Sequence, residues 1–393
     1  MKRGGHDRQY GGRKGEGGPV PRLILPAAPR GGSPVTCLGE ARTEVHTQGV
    51  PSVVRLGAPP LIRRPSIPLS LPTVSVLVPS WRRPDALKRC LFALGRQTRV
   101  PFEVVVGLRA NDTESTDCLD ALAATWPYPI RRAVTAEPGV IAAMNAALAE
   151  CRGDIIALTD DDTEPHADWI ERISTGFNDP QIGGVGGRDW QPTERTDRTD
   201  VGRVQWFGRV IGNHHLGAGP ARPVDVLKGA NAAYRTSLLR AVGFDTRLVG
   251  TGAQMFWELA LCLPIRRAGW TLMFDPKIAV DHHIAPRHGD DQRHRGFFAS
   301  GPQRDAVHNE TLVLLEHQHG FARLAFVSWA WLVGTRTEPG LAQLPRLLLL
   351  GDGTAFARWR ATLEGRMLGW HSWRDSVARG DQAARRIPEP GGA

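Results

Sequence analysis

The sequence predicts an α/β protein: a mostly parallel sheet with helices on both faces, followed by a helical C-terminal extension. Short runs rich in Val and Ile recur between residues 74 and 158, with the length and composition of strands buried on both faces. Segments with helical spacing separate them, which implies βαβ units and parallel pairing. Polar motifs stand where those strands would end, at residues 79–83, 109–112 and 160–162. Open parallel sheets bind ligands beyond the carboxyl ends of their strands, so three such motifs at one edge mark a nucleotide cleft.

Residues 1–71 are dominated by Gly, Pro and Arg and read as a disordered leader and linker, because they bury too little to offset ordering entropy. Val74-Ser-Val-Leu-Val-Pro79 is the first strand, closed by proline. Arg82-Arg83-Pro84-Asp85 launches a helix with Leu87, Cys90, Leu91 and Leu94 at helical spacing. Residues 102–107 form a second strand, 118–125 a helix, and 130–134 a third strand. Pro138-Gly139 precedes a helix over 140–150, and 154–158 is a fourth strand running into Asp160, Asp161 and Asp162. Pro165 restarts the chain as a helix around residues 169–177.

Beyond Phe177 the pattern is less regular. Residues 183–187 and 217–223 read as turn-rich loops, and 224–235 has strand character before a helix opens at Ser237. Phe256-Trp257-Glu258 heads an apolar helix stopped by Gly269, with Pro264 expected to kink or shorten it. Residues 271–274 and 278–280 read as two strands around Asp275-Pro276, delivering Asp281, His282 and His283. An apolar helix pair over 311–333, with Trp329 and Trp331, precedes the apolar stretch 341–350. Residues 286–380 form the helical extension, and 381–393 read as a disordered tail.

The formal net charge of +9 comes largely from scattered Arg, and no Lys/Arg block with interleaved aromatics points to nucleic acid. A basic balance suits anionic partners, either phosphorylated substrates or an acidic membrane surface. Five cysteines without a CxxC pair argue against a disulfide framework and for a reducing, cytoplasmic setting. His317, His319, Arg323 and Arg336 break up the apolar extension, so it does not read as a membrane span. It packs as core or dimer surface, or it lies on the inner face of the plasma membrane with Trp and Arg as anchors.

Three adjacent carboxylates at the end of a buried strand repel one another and lose hydration, so they ask for a counter-ion. Hard divalent cations take oxygen ligands, with Mg²⁺ typically held by carboxylates and substrate phosphates together. A solvated acidic turn is the plainer reading of Asp160, Asp161 and Asp162 taken alone. Four pieces in order strengthen the first reading. Val74-Ser-Val-Leu-Val-Pro-Ser-Trp-Arg-Arg-Pro84, Gly153-Asp-Ile-Ile-Ala-Leu-Thr-Asp-Asp-Asp162, Lys228-Gly-Ala-Asn-Ala-Ala-Tyr-Arg235, and Trp257-Glu258 with Arg266-Arg-Ala-Gly-Trp270 resemble a family 2 glycosyltransferase.

That resemblance implies a GT-A type, Rossmann-like domain over 72–285, with a nucleotide-binding half (72–177) and an acceptor half (178–285). It implies sugar transfer from a nucleotide-diphosphate sugar to a glycan or lipid-linked acceptor, with Mg²⁺ or Mn²⁺. By the same resemblance, Asp160, Asp162 and His282 hold the metal. Pro79, Ser80, Arg82, Asp112, Asn145, Asp160, Asp161, Gly229 and Asn231 contact the nucleotide-sugar, and Glu258 is the general base. The family's second strand ends in an Asp that grips the nucleotide; Arg109 stands near that point here, and Asp112 is the substitute candidate. Trp257 occupies the place of an acidic neighbour of the base. These departures leave a non-catalytic relative, binding nucleotide or glycan, as the alternative. A glycosidase fits less well, because three contiguous Asp cannot flank one bond.

Overall fold

A computed structural model describes residues 71–122, 126–192, 196–288, 297–380 and 387–390, all within one compact unit, Ile67–Ala393. The leader expected over 1–71 lies outside the described residues except for Leu71, as does the tail except for 387–390.

The first half is built as expected: β1 (Val74–Pro79), α1 (Pro84–Gly95), β2 (Glu103–Arg109), α2 (Thr113–Leu122), β3 (Ile130–Thr135), α3 (Val140–Glu150) and β4 (Ile155–Thr159). The four strands pair in parallel in the order β3-β2-β1-β4. Their alternation fixes two cores. Val74, Val76 and Val78 pack with α1 on one face, while Leu77 faces the core that contains α3. Helix α2 starts at Thr113, earlier than the sequence suggested, because Asp112 caps it: its Oδ1 accepts the Ser115 N–H at 3.1 Å.

Next come β5 (Thr163–Pro165), α4 (Trp169–Gly176), β6 (Ile182–Trp190), β7 (Arg203–Val204), β8 (Val210–Ile211), β9 (Arg222–Val224) and β10 (Asn231–Arg235). They are followed by α5 (Thr236–Val242), α6 (Trp257–Arg267) and β11 (Thr271–His282). The main sheet continues β4-β10-β6-β11-β5, with β10 antiparallel to both neighbours and β6 parallel to β11. Residues 183–187, expected as a loop, lie in the middle of β6. Their glycines make room for partners: a Cβ on Gly184 would stand 2.8 Å from the Tyr234 ring. The two strands expected around Asp275-Pro276 are one, β11, whose register shift between Phe274 and Ala279 brackets the proline. Pro264 does not shorten α6, which runs on to Arg267.

The extension comprises α7 (Ser300–His317), α8 (Gly320–Leu332), α9 (Gln343–Leu349) and α10 (Ala355–Arg379). Gly365 and Gly369 bring α10 against the α7 backbone, where a Cβ would lie 2.5 Å from the Arg304 carbonyl and 2.6 Å from that of His308. Between these glycines Arg366, almost fully buried, meets Glu310 at 2.7 Å and donates to Thr311 Oγ1 at 2.9 Å. Removing one partner of a buried pair strands the other charge. The variant Arg366→Ala is therefore expected to lose about 3–5 kcal/mol of stability, read by urea unfolding.

Candidate active site

The carboxyl ends of β1, β4 and β11 open on a cleft of about 490 Å³ whose lining includes Ser80, Asp160, Asp162, Lys228, Glu258 and His282. One ligand atom each from Asp160, Asp162 and His282 lies within 4.8 Å of the others. Asp162 Oδ1 stands 3.3 Å from His282 Nε2, and its Oδ2 accepts the Ala285 N–H at 2.8 Å. The other imidazole nitrogen, Nδ1, lies 3.4 Å from Asp189 Oδ2 on β6. Lys228 pairs with that same oxygen, and Gln191 donates to it at 2.7 Å. Asp189 therefore holds the ring so that Nε2 is turned toward the two aspartates, the arrangement in which a carboxylate orients a metal-binding histidine.

The electrostatics follow from burial. Burial opposes the charge on His282, but its bonds to Asp162 and Asp189 prevail and lift its pKa to about 9. Burial also opposes ionisation of Asp162, where His282 and Arg83 prevail and hold it below the usual carboxylate range. Asp160 is pushed up, by burial and then by the neighbouring Asp162 charge. Two carboxylates, one of them poorly compensated, fit a divalent cation such as Mg²⁺ or Mn²⁺, which would have to displace a proton from His282 to take the oriented imidazole as a third ligand. Asp189→Asn is expected to weaken Mn²⁺ binding by about 10–100-fold, measured by isothermal titration. Unchanged affinity would mean that Asp189 serves Lys228 alone.

Glu258 is the second residue of α6, whose N-cap is Phe256 in left-handed conformation (φ +72°). Burial raises its pKa, opposed by its own backbone N–H and that of Gly229 and reinforced by Asp160. The loop ahead of it is tied from two sides. Gln254 Oε1 accepts the Ile141 N–H at 3.0 Å, and Val140 N–H donates to the Gly252 carbonyl at 3.0 Å. From α7, buried Asn309 accepts the Val249 N–H at 2.9 Å and donates to the carbonyls of Val249 and Met255, both at 3.1 Å. The helical extension thus braces the segment that delivers Glu258.

Several other residues expected at the nucleotide-sugar make contacts within the scaffold. Asp161 is fully buried, accepting from Ser80 Oγ at 2.7 Å and pairing with Arg83 at 2.5 Å. It positions Arg83, which lines the cleft; Arg82 beside it is exposed at φ +54°. Asp112 accepts the Arg82 N–H at 2.6 Å as well as capping α2. Both polar atoms of the Asn145 side chain bond the Phe244 backbone. Asn231 accepts from Trp169 Nε1 at 2.8 Å and donates to the carbonyls of Arg188 and Ile278, stapling three strands. Gly229 lies under the Trp257 indole, where a Cβ would come within 2.1 Å of the ring. Pro79 and Ser80 do line the cleft.

The sequence assigns no role to Asp189 or Lys228; Trp81, Arg83 and Arg109 fall within the polar strand ends expected at the cleft and do line it, with the Arg109 guanidinium 3.9 Å over the Trp81 indole centroid. The Ser-Trp-Arg-Arg-Pro run held a signal for Arg83 but not for which arginine turns inward. Asp189 had none, because it follows the glycines taken for a loop.

The sheet thus carries its acidic run at the carboxyl ends of its strands, with helices packed on both faces. Residues 72–293 match the family described as "Glycosyltransferase like family 2", and the chain belongs to that family. It is 28% identical over 271 residues to y4gI of Sinorhizobium fredii, a match covering 64% of this chain and 29% of that protein. It is 26% identical over 220 residues to the glycosyltransferase AglE of Haloferax volcanii, covering 55% of this chain and 69% of AglE. The chain thus spans well under half the length of the first of these relatives. Among solved structures, S. aureus TarS 1-349 in complex with UDP-GlcNAc is similar at TM-score 0.49 and 14% identity, covering 78% of this chain and 92% of that one.

Proposed function

We propose that this chain is an inverting, hexosyl-type glycosyltransferase that moves a sugar from a nucleotide-diphosphate sugar to a glycan or lipid-linked acceptor. Its setting would be cell-envelope polysaccharide synthesis on the cytoplasmic side, in peripheral contact with the membrane. The observation that supports this most is that the Asp160, Asp162 and His282 cluster opens on the same cleft as Glu258.

In this reading Asp160, Asp162 and His282 hold Mg²⁺ or Mn²⁺, which when bound neutralises the charge that develops on the departing diphosphate. Arg83 and Lys228, which also line the cleft, add fixed positive charge for the donor phosphates. Glu258, its basicity raised by burial, takes the proton from the acceptor hydroxyl as that oxygen attacks the anomeric carbon. A single displacement inverts the anomeric configuration. The test is release of nucleoside diphosphate from a donor panel, with and without Mn²⁺, followed by anomeric assignment of the product by NMR. Metal-dependent release with inversion is expected. A retained configuration would remove Glu258 as base, and no release with any donor would favour a non-catalytic, ligand-binding relative.

A further inference from the structure

We propose that the outward face of α8 and α9, together with the tip of the β7–β8 hairpin, docks on an anionic lipid bilayer. The face is apolar where a water-soluble surface would be polar. On α8, Phe321, Leu324, Ser328 and Leu332 fall at helical spacing on one exposed stripe, with Phe321 73% exposed. Trp206, from the hairpin tip, is itself exposed and stacks on Phe321 with centroids 5.8 Å apart and planes at 10°. On α9 only Leu347 is buried, while Leu348, Leu349 and the C-cap Leu350 stand exposed in succession, Leu349 by 88%.

Charge chooses the occupant. Between residues 319 and 351 the one carboxylate is Glu338, which is buried and accepts from Thr337 Oγ1 at 2.6 Å. The cations of this stretch are Arg323, Arg336 and Arg346, the last two exposed. This stretch therefore offers apolar side chains and positive charge with no exposed carboxylate; Asp352, which follows it, is a quarter exposed and pairs with Arg358. Anionic headgroups over a hydrocarbon layer complement it on both counts. A second copy does not, because a two-fold contact would bring the same arginines face to face. No described helix is long and apolar enough to cross a membrane; the proposed docking lays this segment along the interface. Trp206 and the neighbouring Phe207, 5.3 Å from Trp329, tie this face to the hairpin, whose exit at 212–215 lines the cleft. The consequence that a lipid-linked acceptor reaches the cleft along the bilayer rests on the glycosyltransferase reading; the docking itself does not.

The test is co-sedimentation of the full chain with phosphatidylcholine vesicles, with or without phosphatidylglycerol. Thermal shift with nucleoside diphosphates and Mn²⁺ is recorded alongside for every variant. Binding is expected only to the anionic vesicles and should weaken as salt rises. Leu349→Glu is expected to weaken it by about tenfold or more, and Arg346→Glu by about fivefold. Both variants should keep the melting temperature and any nucleotide-induced shift of the parent protein. Equal binding to neutral vesicles, no binding to anionic ones, or unaltered binding by both variants would overturn the proposal. So would a concentration-dependent dimer abolished by Leu349→Glu, which would assign the face to a second copy. Vesicle binding without any nucleotide shift would count against the donor site and leave the docking face standing.

Discussion

Replacing Asp162 with alanine is expected to lower metal-dependent sugar transfer by about a thousandfold. A bound divalent ion supplies several kcal/mol of charge stabilisation, and each 1.4 kcal/mol is about tenfold in rate. Asp162 stands at the centre of the candidate metal cluster. It offers one oxygen toward His282 at 3.3 Å and fixes the chain at Ala285 with the other. The alanine variant removes a ligand and also frees the Ala285 backbone, so Asp162→Asn is the sharper comparison because it keeps an oxygen acceptor without the charge. The first readout is thermal stability with nucleoside diphosphates in the presence and absence of Mn²⁺, which reports binding independently of turnover. A metal-dependent shift in the parent protein that vanishes in both variants is the expected result. A shift that survives in both would reduce Asp160, Asp161 and Asp162 to a buried charged turn.

Glu258→Gln is expected to lower kcat by about 10²- to 10⁴-fold, the usual contribution of a positioned general base, while leaving donor binding near its parent value. The pH dependence follows from the surroundings of the carboxyl. Burial lifts its pKa, and Asp160 adds to this against the backbone donors, so the acid limb of kcat/KM should lie above the ordinary glutamate range. The glutamine variant should lose that limb. The same shift fixes the sign of the stability effect. A carboxyl with a raised folded-state pKa contributes stability below its unfolded value, and that contribution is lost as pH rises through the folded value. At neutral pH glutamine avoids the buried charge, so the variant should unfold no more readily than the parent. Lost activity with retained stability would separate catalysis from folding. Full activity would return Glu258 to the role of a helix-start residue favoured by the helix dipole.

The elements of the first half were legible because their pattern is local. The short Val-rich run of Val74 to Val78, buried throughout, and the spacing of Leu87, Cys90, Leu91 and Leu94 need only neighbouring residues to be read. The acidic run was legible for a similar reason, since like charges beside a buried strand are unusual whatever surrounds them. Helix α3 spans Val140–Glu150 as the sequence suggests, while the Phe244 backbone that its Asn145 bonds lies 99 residues along the chain. Which partner a side chain meets is a long-range matter.

The second half was less legible, and β6 shows why. Glycines signal a turn when only backbone freedom is considered, but here they admit the Tyr234 and Leu272 side chains from the flanking strands. That reading needs the identity of strands some fifty to ninety residues away in the chain. Asp189 was lost with it, and with Asp189 the orientation of His282.

By itself the sequence determined the α/β class, the run of strands ending at one polar edge, the acidic cluster with His282, and Glu258 at a helix start. These rest on local periodicity and on charges that burial makes costly. Only the tertiary structure decided which member of each polar run faces the cleft. Asp160 and Asp162 turn in while Asp161 turns to Arg83, and Arg83 lines the cleft while Arg82 faces solvent. These residues lie in the turns that follow β4 and β1, with Arg82 at φ +54°, so the direction of each side chain depends on the turn backbone and on the partners the fold has placed around it.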